Sequence, residues 1–94
     1  MNNILISTGD IKDNYQIIDT IFAMDSHKES FFKNADPNKA FNKVKEQLRQ
    51  ECKKIGGNAV INCLFEYRVA LDSGLIGSKQ VIEIFAYGTA VKIL

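Results

Sequence analysis

A helical pattern ends and a strand pattern begins within Ile55-Gly56-Gly57-Asn58-Ala59-Val60-Ile61, and every other segment can be placed from that junction. Upstream, Asp36-Pro37 reads as a helix start. The carboxylate can accept from free first-turn amides, and proline suits the first helical position because no amide partner is lost there. Phe41, Val44, Leu48, Cys52 and Ile55 recur every three or four residues, which predicts one apolar stripe on a helix running to about Ile55. Lys53 and Lys54 favour the negative end of that helix, and Gly56 can adopt the left-handed conformation that closes its last turn.

Downstream, Ala59, Ile61, Cys63, Phe65, Tyr67 and Val69 alternate with Val60, Asn62, Leu64, Glu66, Arg68 and Ala70. The second set carries amide and charge, so the first is expected to face the helix. Leu71 to Lys79 reads as a turn through Asp72-Ser73-Gly74 and Gly77-Ser78. A last strand spans Gln80 to about Ile93, and Gly88 marks a bulge or a close backbone contact within it. Before the helix, Ile4 to Thr8 reads as a short strand stopped by Gly9-Asp10 and paired with the segment after it. Tyr15 to Met24 reads as the second strand, with Tyr15, Ile17, Ile21 and Ala23 on one side and Ile18, Phe22 and Met24 on the other. Asp25 to Asn34 reads as a solvated connection interrupted by Phe31 and Phe32.

The order strand-strand-helix-strand-strand predicts an α+β fold with one helix against a mostly antiparallel sheet. The 94 residues suit a single domain, 1–94. One helix covers one face, yet the last strand sets Val81, Phe85 and Tyr87 against Ile82, Ile84 and Ala86, and the second strand is likewise apolar on both sides. A second cover is therefore expected, most simply another copy of the chain.

Several functions lose support from composition. A formal charge of +1 supplies no global field for nucleic acid or an anionic membrane. No apolar run approaches a bilayer's thickness, and no basic region precedes the short apolar run after Met1-Asn2-Asn3. Two cysteines without C-x-x-C spacing fit a reducing cytoplasm better than a secreted disulfide scaffold.

Cys52, Cys63 and His27 are the candidate metal ligands. The stripe and the alternation place both thiols in the core, where cysteine acts as a small apolar residue. His27, among Asp25, Ser26, Lys28 and Glu29, lacks the positioned partners that a metal or a base needs. Asp10, Asp13, Asp19 and Asp25 do not follow the calcium-loop spacing. Over residues 37–55, Lys39, Lys43, Lys45, Arg49, Lys53 and Lys54 outnumber Glu46 and Glu51, so that helix could meet phosphates. A solvated face is the simpler account. No nucleophile, base and orienting group can be placed together by spacing, so no enzyme is expected.

Gly57-Asn58-Ala59-Val60-Ile61, Phe65-Glu66-Tyr67 and the closing Tyr87-Gly88-Thr89-Ala90-Val91-Lys92 together resemble the YbjQ-type domain, a family labelled heavy-metal-binding. Ile6-Ser7-Thr8 and Ile17-Ile18 resemble its opening, so nearly the whole chain is covered. The resemblance implies a small cytoplasmic α+β subunit that assembles with itself into a ring, typically a pentamer, without catalytic activity or a resident cofactor. A small ligand between subunits is one function to expect. Metal binding through cysteine or histidine, and nucleic-acid binding through the helix, are the alternatives. The metal label brings no fixed ligand set to carry onto this chain. The short polar connection from Asp25 to Asp36 also departs from the glycine-rich insertion of many relatives.

Overall fold

In chain order the elements are β1 (Leu5–Ile6), β2 (Tyr15–Lys28), α1 (Pro37–Lys54), β3 (Ala59–Gly74) and β4 (Gly77–Ile93). The structure is a computed structural model describing residues 4–28, 37–74 and 77–94, and side chains within these except 26–28, 37, 70–74, 77–80 and 82. Asp36, Phe31 and Phe32 lie outside the described residues, as does the His27 side chain.

The four strands form one mixed sheet in the order β1-β3-β4-β2, with both long pairings antiparallel. The α+β class and the expected order of elements hold. The partner expected for β1 does not, because β1 runs parallel to β3. The chain does not reverse at Gly9-Asp10 into a hairpin. Ser7 N donates to Val60 O, Cys63 N to Ser7 O and Asn62 N to Gly9 O, which carries the β1 side of the ladder past the strand itself. β2 lies at the opposite border, paired with β4 along its length.

Two further boundaries move for one reason. β4 is long, and its length templates its neighbours. Asp25 to Lys28 are therefore strand rather than solvated connection, opposite Ile84 to Val81. Leu71 to Gly74 and Gly77 to Lys79 are strand rather than turn, with Gly74 opposite Gly77.

The helix stripe is Ala40, Val44, Leu48 and Cys52, all fully buried, with Phe41 half-buried beside it. Ile55 is exposed instead, because the helix ends before it. Gly57 N donates to Cys52 O and Gly56 N to Lys53 O, and Gly56 has φ 86°. This pair of bonds is the Schellman closure that a glycine past the last turn permits. Asn58 then ties the junction to β4: its N donates to Val91 O, and its Oδ1 accepts from Ile93 N at 2.7 Å.

Two bulges decide which residues meet the helix. In β3, Ile61 faces Thr89 and Leu64 faces Tyr87, so Asn62 and Cys63 together oppose Gly88. Asn62 takes φ 51°, a left-handed conformation asparagine tolerates better than most residues. A Cβ on Gly88 would lie 2.8 Å from Val60 Cγ1 and 3.2 Å from both Cys63 Cα and Ile61 O. The missing side chain at Gly88 is thus the space into which β3 bulges. Each bulge adds one residue and inverts the alternation beyond it.

Consequently β3 does not present one odd-numbered set to the helix. Val60, then Cys63 and Phe65, face it, while Ala59 and Ile61 face away. In β2, Ile17 opposes Val91 and Asp19 opposes Ala90, which leaves Ile18 as the extra residue. Ile21 and Ala23 face the helix; Tyr15 and Ile17 share the far face with Phe22 and Met24.

The core lies between α1 and the sheet, where the helical stripe meets Ile21, Ala23, Val60, Cys63, Ile84, Ala86 and Ala90. A smaller cluster occupies the far face: Ala59, Ile61 and Val91 packed with Ile11, Tyr15 and Ile93. The chain between β1 and β2 therefore shelters part of that face itself. The 18-residue helix is about 27 Å long at about 1.5 Å per residue. The molecule is 54 Å in its longest dimension, so much of the sheet extends past the helix.

Candidate functional site

Beyond the cover given by Ile11, the far face of the sheet is apolar and open. Phe22, Tyr87 and Leu64 stand directly opposite one another on β2, β4 and β3, and are 73%, 43% and 51% exposed. The next row sets Met24, 55% exposed, beside a half-buried Phe85 and then Glu66. These are direct cross-strand neighbours, so the exposed side chains form one patch rather than scattered residues. Thr20 and Thr89 border it at one end. At the other, Arg68 Nε donates to Glu83 Oε1 at 2.6 Å.

Within the patch, the Tyr87 hydroxyl donates to the Glu66 carboxylate, which pushes the phenol above its ordinary 10.0. The half-buried Tyr15 resembles it: its hydroxyl donates to Asp10 Oδ1 at 2.9 Å, and that hydrogen bond raises its pKa as well. An apolar centre with a polar rim is the anatomy of a protein interface.

The thiols lie on the other side of the sheet. Cys52 and Cys63 are free, fully buried and members of the same core cluster. Cys52 Sγ donates to Ala59 O at 3.4 Å, and a Cβ on Gly57 would lie only 2.6 Å from that sulfur. Cys52 and Gly57 thus fit each other at the helix-to-strand junction. Burial pushes both thiols above their ordinary 9.0. Thiolate is the form that binds soft metals and reacts with disulfides, so these positions disfavour both.

Among the described residues no group of three or more His, Cys, Asp or Glu side chains is placed to hold a metal. The His27 backbone, in β2, pairs with that of Ile82 in β4. One carboxylate oxygen of Asp25, on the helix-facing side of β2 opposite Ile84, is buried without a hydrogen-bond partner.

Two measurements follow for the thiols. Neither should react with an aromatic disulfide at neutral pH faster than the chain unfolds, whereas both should react at once in denaturant. Because the folded pKa is raised, the stabilisation is present in full below pH 9.0, the unfolded value, and is lost as pH climbs through the folded one. Denaturation midpoints should fall above that pH, and a Cys52→Ala, Cys63→Ala variant should show a smaller alkaline loss.

The helix is less basic than its lysine count implies. Arg49 donates to Ile4 O at 3.1 Å and to Glu46 Oε2 at 2.9 Å, so it fastens the helix to the start of the sheet. Lys54 Nζ donates to Glu51 Oε2 at 2.7 Å. On the helix flank, Asn38, Phe41, Asn42, Lys45 and Phe65 line an open cavity of about 340 Å³. The Phe41 and Phe65 rings meet there at 5.9 Å. No helix among the described residues is long and apolar enough to cross a membrane.

The apolar patch was visible in the sequence as strands with two apolar faces. The Tyr87 to Glu66 bond was not, although a lone carboxylate among Leu64, Phe65 and Tyr67 is the feature that could have drawn notice.

A family model described as "Putative heavy-metal-binding" (YbjQ_1) matches residues 3–94. Among solved structures, the chain is similar to a protein of unknown function from Pediococcus pentosaceus ATCC 25745, assigned to the DUF74 family. Identity is 20% and the TM-score 0.80, covering 99% of this chain and 100% of that one. At that identity the likeness shows the fold. No curated protein matches the chain.

Proposed function

Since this chain belongs to the YbjQ_1 family over residues 3–94, we propose that it works as an assembly of identical subunits, without catalysis of its own, holding a small ligand where subunits meet. The observation that carries this reading is the open row Phe22, Tyr87 and Leu64, continued by Met24 and Phe85. Burying such side chains is worth about 25 cal/mol per Å² of apolar surface removed from water, and a second copy is the partner always at hand. A ring, five-membered by the family resemblance, is a closed arrangement that leaves no subunit uncovered. Two reduced, buried thiols suit a cytoplasmic location.

Light scattering at micromolar concentration tests the reading. Wild-type protein should have several times the 10.6 kDa mass of one chain. Phe22→Asp should shift it toward 10.6 kDa while leaving the far-ultraviolet circular dichroism unchanged, because Phe22 is outside the subunit's own core. A wild-type protein that runs as a single chain would remove the basis of the proposal.

A further inference from the structure

The cavity on the helix flank is assembled from two elements. Asn38, Phe41, Asn42 and Lys45 are spaced i, i+3, i+4 and i+7, so they form one strip along α1, beside the buried stripe of Ala40, Val44 and Leu48. Phe65 supplies the floor from β3, and it reaches the helix side because the bulge at Asn62-Cys63 shifts the alternation. At about 340 Å³ the cavity falls at the lower end of the size range of small-molecule sites.

Its walls are aromatic. The Phe41 and Phe65 rings are half-buried and inclined at 56° with their centroids 5.9 Å apart, which makes them two sides of a corner rather than a stack. A flat ring in that corner can lie against one of them and meet the other edge-on, the two arrangements that aromatic rings prefer. The exposed Tyr67 follows Phe65 on the same face of β3.

Lys45 supplies the charge. Lys39, Lys43 and Lys53 are exposed to water, whereas Lys45 is half-buried, and among the described residues it has no ion pair or hydrogen bond. The helix carboxylates Glu46 and Glu51 are engaged by Arg49 and Lys54 instead. No acidic residue occupies the first turn of α1, so the positive end of the helix adds to the same field. Asn42, likewise unbonded among the described residues, offers an amide donor beside the ammonium.

From this arrangement we infer that the cavity is a binding site for a small aromatic carboxylate. The ring occupies the corner between Phe41 and Phe65, and the carboxylate is held by the Lys45 ammonium and the Asn42 amide. One ammonium balances one negative charge, which favours a carboxylate over a phosphate dianion. The site is built by a single chain, so it goes beyond the assembly proposed above and does not depend on it.

The chain contains no tryptophan, so the emission of an indole compound excited beyond the tyrosine band can be followed against it. Indole-3-acetate, titrated with wild-type protein and read by fluorescence anisotropy, should reach half-saturation near about 1 mM or below. Indole-3-acetamide, which keeps the ring and loses the charge, should bind about tenfold more weakly. Octanoate, which keeps the charge and loses the ring, should not displace the indole acid at equal concentration. Glutamine matches lysine in helix propensity, so Lys45→Gln leaves the fold intact. It should lower the affinity for the acid to that for the amide and leave amide binding unchanged. No rise in anisotropy with protein at several millimolar overturns the inference. So does equal binding of acid and amide, displacement by octanoate, or a Lys45→Gln variant that binds the acid as the wild type does.

Discussion

Gly88→Val should cost the fold about 3 kcal/mol, the upper part of the range for overpacking a filled site, and Gly88→Ala somewhat less. The reason is backbone, not conformational preference. The first atom added meets Val60 Cγ1 at 2.8 Å, and behind it stand Cys63 Cα and Ile61 O, both at 3.2 Å. A methyl group on Val60 can turn aside; the bulged β3 backbone cannot do so without giving up its register. That register sets which side chains meet the helix, so a slip would carry Cys63 and Phe65 away from the core and bring Leu64 into it. Urea midpoints at one fixed protein concentration measure the effect, since assembly makes stability concentration-dependent. Gly9→Ala is the control. Only Ser7 Oγ, at 4.0 Å, lies near the added carbon, so the change should stay within about 0.5 kcal/mol. A valine variant as stable as that control would mean the bulge adapts and Gly88 is dispensable.

The same bulge explains how far the sequence could be read. The helix, its glycine closure and the special role of Gly88 were legible because each leaves a local signature: a 3.6-residue period, a glycine past the last turn, a gap in an apolar strand. Strand faces were not, since counting alternate residues carries a parity error through every position beyond an extra residue. Ile18 and the Asn62-Cys63 pair each introduce one, and so Ala59 and Ile61 lie on the side opposite to Cys63 and Phe65. Strand ends were illegible for another reason. Asp25 to Lys28 and Leu71 to Gly74 are polar or turn-like by composition, but β4 offers them a ladder. Tertiary pairing overrides weak local preference.

Much the same holds for the patch. That the sheet has more apolar surface than one helix can cover follows from composition alone. Ile11 folding over Ala59, Ile61 and Val91 depends on a loop that had read only as a turn. What that loop leaves uncovered is the row through Phe22, Tyr87 and Leu64, so the structure narrows an excess of apolar surface to particular neighbours.

Leu48→Ala should have the largest effect of any single truncation in the helix, about 2–5 kcal/mol. Leu48 is fully buried, sits in the middle of the stripe with Val44 and Cys52, and is among the largest side chains with no exposed surface. Removing three carbons loses their transfer energy and leaves a cavity. The core it belongs to holds Ala23, Ala86 and Ala90 on the strands, whose single methyl groups cannot swing in to fill a cavity. A chain of this size is stable by about 5–15 kcal/mol in all, so the variant should melt many degrees lower and become susceptible to protease at temperatures the wild type survives. Ile55→Ala separates this explanation from a generic loss of helix propensity. Ile55 belongs to the same apolar series in the sequence but is 41% exposed past the Schellman closure. Its truncation should cost under about 1 kcal/mol. Equal losses at the two sites would mean that the helix is anchored along all five sequence positions, and that the core does not end at Cys52.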